Sequence, residues 1–543
     1  MKRQTLPAHP RAVETRHEAV AAGLAAAGLA ALLLWAGPPG TDIAAHLYQR
    51  LFFVQHGFVL WNNFWYAGRY SFVTYSLLYY PLAALIGIKL LALASVGVAA
   101  LAFATVVIRQ WGSPGRLSTA TFALVWPGTV LTGAFPFLLG TALALLSAAA
   151  LQSGRRLRFS LLAALTVAAS PVAFALLAVL LVGAALARRR PRAELATPAL
   201  VVALGISAEV VVARLFPDGG RYPFPLVDLV PAVAFCLFGA LLTWRVERTR
   251  LLAGIFATYG ITCLAVYAMP LEVGSNILRL RYAAIPLAVL AVGLSGWRPL
   301  RAALPLIALA AVWNATALAT SARPERADEA LAQYWRPAIE FLHGHLSPSF
   351  RVEAVDTEGH WPAVFLPEAD IPIVRGWYRQ DDFPENELLY GRFRAAGYRA
   401  WLRRLGVRYV LLSTAPADFS AQAEAALLRS GRSGLRRVWR TRTLAVYELP
   451  RARPIVTGPA RARIVRLTPS RALIEVGAPG VYHVALRYSP YWIVKPGCVR
   501  RAPDRMLLVR ARRAGPVDLD FRVSAERALE TLAGVTSARC SPP

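Results

Sequence analysis

Asp42 is the first acid after the first long apolar run of the chain, Ala19 to Trp35. That run is about long enough to cross a bilayer, so Asp42 stands just outside a membrane span. His46 follows in Gly40-Thr41-Asp42-Ile43-Ala44-Ala45-His46, at a spacing that puts both side chains on one helix face. A carboxylate beside an imidazole at a membrane surface is suited to taking a proton from a hydroxyl. Thr41 or Asp42 equally suits the N-cap of the helix running through His46. Position alone leaves capping and base chemistry both open.

The matching cations are arginines. Arg279 and Arg281 fall at the outer end of the tenth apolar run, against the bias that keeps Arg on the cytoplasmic side. Charge placed so marks a functional site by default. Snorkelling to lipid phosphates, or pairing with Glu272, accounts for the same residues. A guanidinium matches phosphate oxygens in a fork. Two residues apart on a helix, Arg279 and Arg281 point in different directions, so at most one grips a given phosphate. Arg69 and Arg221, from neighbouring outer loops, are weaker phosphate candidates.

Other chemistries lack their residues. There is no GxxxxGK[ST] loop, no GxSxG and no HExxH. No CxxC or Cys/His cluster suggests zinc, and His343 with His345 is short of ligands. Asp381-Asp382 is the one pair suited to a divalent cation, though acids in such a loop are normally just solvated. No cofactor is called for, and a divalent metal is compatible. Cys498 and Cys540 can form a disulfide if their region is exported.

The elements that must position these residues are mostly membrane spans. The chain has 543 residues, is 56% hydrophobic and 17% charged, and has a mean hydropathy of +0.44. That is too apolar for an ordinary soluble protein. The net charge of +29 comes largely from Arg. Much of it lies in short loops between apolar runs, where it marks topology, so no nucleic-acid partner is expected. With Lys2, Arg3, Arg11 and Arg16 inside, about eleven spans follow, among them Leu117 to Thr132, Phe159 to Ala169 and Pro171 to Ala187. The short Arg-rich loops, including Arg188, Arg189 and Arg190, then all fall on one side.

Residues 1–320 therefore read as a membrane domain with an aromatic outer loop, 38–87. Trp61, Trp65 and Tyr66 in that loop have the composition of helices lying at headgroup level, and are candidates for contact with an acceptor. Residues 321–450 read as an extracytoplasmic α/β region. An amphipathic helix over Ala327 to His345 is followed by strands at Phe350 to Val355 and Tyr409 to Leu412. Residues 451–543 alternate in short runs between Gly and Pro turns, the pattern of a β-sandwich.

An acid after the first span, an aromatic outer loop, many spans and an exported C-terminal region together resemble the GT-C superfamily of membrane glycosyltransferases. The resemblance rests on Gly40-Thr41-Asp42, on Trp61-Asn62-Asn63-Phe64-Trp65-Tyr66-Ala67-Gly68-Arg69, on Gly274-Ser275-Asn276-Ile277-Leu278-Arg279-Leu280-Arg281 and on Arg375-Gly376-Trp377-Tyr378-Arg379-Gln380-Asp381-Asp382. It is closest to a poorly characterised bacterial branch, whose members are often labelled as transporters. It implies a plasma-membrane enzyme using a polyprenyl-phosphate sugar donor, with a cell-envelope glycan, glycolipid or protein as acceptor. Asp42 is then the base, His46 its orienting partner, and Arg279 or Arg281 the phosphate ligand. Many GT-C enzymes carry a second acid near the first, and here Asp42 stands alone. A lipid or solute transporter or flippase, and a non-catalytic envelope scaffold, are the rival readings.

Overall fold

The structure is a computed structural model describing residues 9–187, 192–217, 220–321, 327–391, 393–534 and 540. Lys2, Arg3 and Arg188 to Arg190 lie outside the described residues. The chain divides into two compact units. The first comprises Met1–Ile43, Tyr75–Glu209 and Arg221–Arg323, and the second Ala44–Thr74, Val210–Gly220 and Pro324–Pro543. The outer loop expected to belong with the membrane spans thus folds, over Ala44–Thr74, with the C-terminal residues.

The first unit is helical. Among the described residues, eight helices are long and apolar enough to cross a membrane: Thr15–Ala36, Ile88–Trp111, Phe135–Gln152, Glu194–Leu215, Leu226–Thr243, Glu247–Ala268, Gly274–Ser295 and Leu300–Ser321. The protein is therefore a polytopic helical membrane protein. Three of the eleven expected spans are shorter. Arg116–Val125 passes into a 3-10 turn at Trp126, where Pro127 enters. Arg156–Ala169 and Pro171–Ala187 are separated by extended Ser170, because the residue before proline is driven out of the helical region. Small residues let helices approach closely, as where a Cβ on Gly254 would lie 2.3 Å from the Gly183 carbonyl oxygen.

The second unit is strand-rich. Its α/β part has one four-stranded sheet. Arg351–Ala354 pairs in parallel with Val407–Ser413, which pairs antiparallel with Leu444–Glu448, and Arg436–Arg440 forms the edge. The helix Ala332–His345 follows a 3-10 turn at Ala327–Ala330. Two further four-stranded antiparallel sheets follow. One runs in the order Gly497–Arg501, Met506–Ala511, Gly480–Arg487, Val456–Thr457. The other runs Trp492–Lys495, Gly515–Phe521, Arg471–Val476, Ala462–Leu467. Ala472, Ile474 and Val476 alternate inward, as do Val517, Leu519 and Phe521, and they share one core. Cys498 and Cys540 form a disulfide.

The aromatic loop is the main departure from expectation. Trp61, Trp65, Tyr66 and Tyr70 are buried within the second unit. Trp61 stacks on Phe521, and Trp65 Nε1 donates to the Ala363 carbonyl. The Tyr66 hydroxyl donates to the Tyr378 carbonyl at 2.7 Å. Amphipathic rings suit a headgroup layer and a protein core equally, and composition does not separate the two.

Candidate functional site

In the first unit, the turn Gly40-Thr41-Asp42 is docked on the 3-10 segment Trp126–Thr132. The Asp42 amide and the Thr41 hydroxyl both donate to the Thr132 carbonyl, at 3.2 and 3.3 Å. Gly133 follows at φ +72°, and a Cβ on Gly40 would lie 2.4 Å from the Gly133 nitrogen. Two backbones meet here with no room for a side chain, which fixes where Asp42 stands. Gly40→Ala is expected to cost about 1–3 kcal/mol by overpacking this contact. Thermal unfolding of the detergent-solubilised protein measures it, and an unchanged midpoint would contradict the docking.

Arg279 approaches Asp42 from Gly274–Ala283, a 3-10 helix of ten residues. Such runs are usually three or four residues long, and longer ones mark strain or function. With three residues per turn, Asn276, Arg279 and Tyr282 form one row. Arg279 Nη2 donates to Asn276 Oδ1 at 3.1 Å and lies 3.8 Å from Asp42 Oδ2. Its guanidinium also sits 5.3 Å from the Phe137 ring centroid. Tyr75 and Tyr222 lie within electrostatic reach. The Tyr75 hydroxyl is buried, and burial pushes its acid strength down to a pKa of about 12. Arg281 turns elsewhere, with Nη2 3.4 Å from the Tyr282 hydroxyl and Nε buried without a partner among the described residues. Arg221 is exposed, and its neighbour Tyr222 is the residue of that loop near Arg279.

Arg279 also lines an apolar cavity of about 140 Å³. The walls include Phe103, Phe122, Trp126, Phe137 and Leu287, and Arg279 is the one charged residue among them. A guanidinium with a carboxylate on one side and hydrocarbon on the other is arranged for an amphiphile with an anionic head.

The remaining candidates lie in the second unit. His46 is fully buried, its ring 6.3 Å from that of Trp377. Arg69, a phosphate candidate from sequence, is committed to its own unit: its Nε lies 2.6 Å from Asp381 Oδ2, both groups are buried, and its guanidinium covers the Tyr378 ring at 4.0 Å. Asp382 is held by Arg375 at 2.9 Å. Asp381 and Asp382 are therefore not solvated acids but buried ion-pair partners. Among the described residues, no group of three His, Cys, Asp or Glu side chains is disposed to hold a metal. His343 Nε2 contacts the Ala369 carbonyl, and His345 stacks on Phe341.

A polar centre that sequence spacing did not reveal lies at the carboxyl ends of the parallel strands, where open α/β sheets bind ligands. Asp356 Oδ2 holds His360 Nδ1 at 2.7 Å. Burial opposes charge on His360, but Asp356 outweighs it and raises the imidazole pKa. Among the described residues its Nε2 makes no hydrogen bond, the arrangement of an oriented acid–base histidine. Trp377 lies 6.4 Å away, and Asp418, gripped twice by Arg379 at 3.1 and 3.2 Å, completes the group. Burial opposes the Asp418 charge, and Arg379 and His360 overcome it to lower the carboxyl pKa. The fold brings these residues together from 356, 377 and 418, so no local motif announced them.

Beneath this centre, Glu353 is fully buried with both carboxyl oxygens unpartnered among the described residues. Burial, and then the Glu424 charge, raise its pKa well above the ordinary range. Burial likewise raises Glu424 to about 7, although Tyr398 donates to it at 2.5 Å. The folded state thus holds protons that the unfolded chain releases above its ordinary value of 4.5. Stability is full below that value and falls as pH rises through the folded values. Glu353→Gln is expected to flatten the loss of melting temperature as pH rises above 4.5. An unaltered slope in thermal scans would contradict protonation at this residue.

Compared with known proteins, the chain matches no family model and no curated protein.

Proposed function

We propose that the protein is a membrane glycosyltransferase of the GT-C kind, moving a sugar from a polyprenyl-phosphate donor to a cell-envelope acceptor. One observation carries the reading: Arg279 stands between the Asp42 carboxylate, 3.8 Å away, and an apolar cavity. The donor phosphate sits on Arg279, and the start of the prenyl chain enters the cavity. The acceptor hydroxyl attacks the anomeric carbon, and the bond from that carbon to the phosphate oxygen breaks. Asp42 takes the hydroxyl proton. Arg279 stabilises the charge on the departing polyprenyl phosphate.

The reaction takes place at the outer face of the plasma membrane, with about eleven membrane crossings, the shorter helices included, and the strand-rich unit outside. The Cys498–Cys540 disulfide supports that side, since disulfides persist in oxidising compartments. The acceptor is an envelope glycan, glycolipid or protein.

The test is mass spectrometry of lipids retained by the full-length protein purified from its own membrane. A polyprenyl phosphate is expected, reduced about tenfold or more in Arg279→Ala, because a charged hydrogen bond is lost. A wild-type preparation holding no lipid phosphate, but accumulating solute in sealed vesicles, would replace this reading with transport.

A further inference from the structure

In the second unit, most arginines with buried or ordered side chains meet carboxylates, as in Arg69–Asp381, Arg375–Asp382, Arg379–Asp418 and Arg408–Glu448. Others, such as Arg351 and Arg399, meet backbone carbonyls instead, and among these Arg403 and Arg404 line one pocket together with the exposed Arg453. Arg403 and Arg404, from the helix Ala395–Arg404, face Arg453 and Thr457 across a cavity of about 460 Å³. His483 and Asp504 complete its wall. The single carboxylate there is taken up by His483, at 2.9 Å.

Two of the guanidinium groups are held in place by backbone. Arg403 donates to the carbonyls of Arg451 and Pro450, at 3.3 and 3.1 Å. Arg404 donates to the Glu385 carbonyl at 2.8 Å. Those bonds orient the planar forks through Nε and Nη2 of Arg403 and Nη2 of Arg404, and among the described residues Nη1 of each makes no hydrogen bond, so little side-chain freedom is lost when an anion arrives. Arg453 is exposed and lines the pocket. With three arginines against one carboxylate the pocket carries an excess of positive charge, and such charge in a concavity attracts anions more strongly than the same charge on a convex surface. The volume falls in the range of small-molecule sites and exceeds what a bare phosphate fills.

We propose that this pocket, at the seam between the α/β part and the sandwich, binds a phosphate ester carried on a small polar unit such as a sugar. The site is separate from Asp42 and Arg279 in the chain's other unit, and it stands whether or not the protein transfers sugars. The phosphate comes from a soluble ester or from a lipid headgroup, and the experiment has an arm for each.

The test is titration calorimetry of the full-length protein in detergent with glucose 1-phosphate, inorganic phosphate and glucose, and flotation with vesicles of phosphatidylglycerol against phosphatidylcholine. Saturable heat with glucose 1-phosphate is expected, weaker with inorganic phosphate and absent with glucose. Arg453→Ala, at an exposed position, is expected to weaken it about tenfold or more, and Arg453→Lys by less. Because the protein already enters membranes through its spans, the vesicle arm is read as the difference between wild type and Arg453→Ala. A difference seen only with phosphatidylglycerol assigns the site to headgroups. Equal heats for wild type and Arg453→Ala, or no saturable heat together with no vesicle difference, would overturn the proposal.

Discussion

Asp42→Asn is expected to lower sugar transfer by about two to four orders of magnitude while leaving polyprenyl phosphate bound. The amide keeps the shape of the carboxylate but cannot accept the acceptor's proton. The phosphate ligand in this scheme is Arg279, which Asp42 meets only at 3.8 Å, so retention of lipid does not depend on the acid. The two variants thus separate the roles. Arg279→Ala loses the lipid, and Asp42→Asn keeps it without turning it over. Single-turnover transfer from a radiolabelled polyprenyl-phosphate sugar, alongside lipid analysis of the same preparations, measures both. Full transfer by Asp42→Asn would remove the carboxylate from the chemistry, and loss of lipid in that variant would make it a binding group.

Trp61→Ala is expected to destabilise the strand-rich unit by about 3–5 kcal/mol. The ring is 1% exposed and stacks on Phe521 at 4.8 Å, with Trp492 and Tyr70 edge-on at 5.6 and 5.1 Å. Its Nε1 donates to Asn63 Oδ1 at 2.8 Å, and Asn63 Nδ2 donates in turn to the Thr468 carbonyl. Gly68, at φ +114°, lies so close that a Cβ there would come 2.5 Å from the indole. Removal of the ring therefore opens a cavity that a rigid sandwich cannot collapse around. Denaturant unfolding followed by near-ultraviolet circular dichroism reads the loss. A midpoint close to wild type would mean that the loop is an appendage and not part of the core.

Some of this was plain in the residues. Asp42 and Arg279 stood out because a charge beside an apolar run is costly and therefore informative. The contact between them was not visible, since 237 positions separate them and only packed helices close that distance. The row Asn276, Arg279, Tyr282 was hidden for a different reason. It depends on a three-residue turn, whereas the apolar pattern suggests the ordinary helical period. Arg69 and Asp381–Asp382 looked like surface groups, and burial turned them into partners.

Chain composition by itself determined that the protein enters a membrane and that its C-terminal part is strand-rich. Those properties follow from summed hydrophobicity and from alternation, which are local. Only the tertiary structure decided that the aromatic loop serves the core of the strand-rich unit, that Asp356 orients His360, and that three arginines line one pocket with a single carboxylate, Asp504. Each of these depends on which distant segments meet, and pairing across long loops is set by the packing of the whole unit rather than by any one stretch.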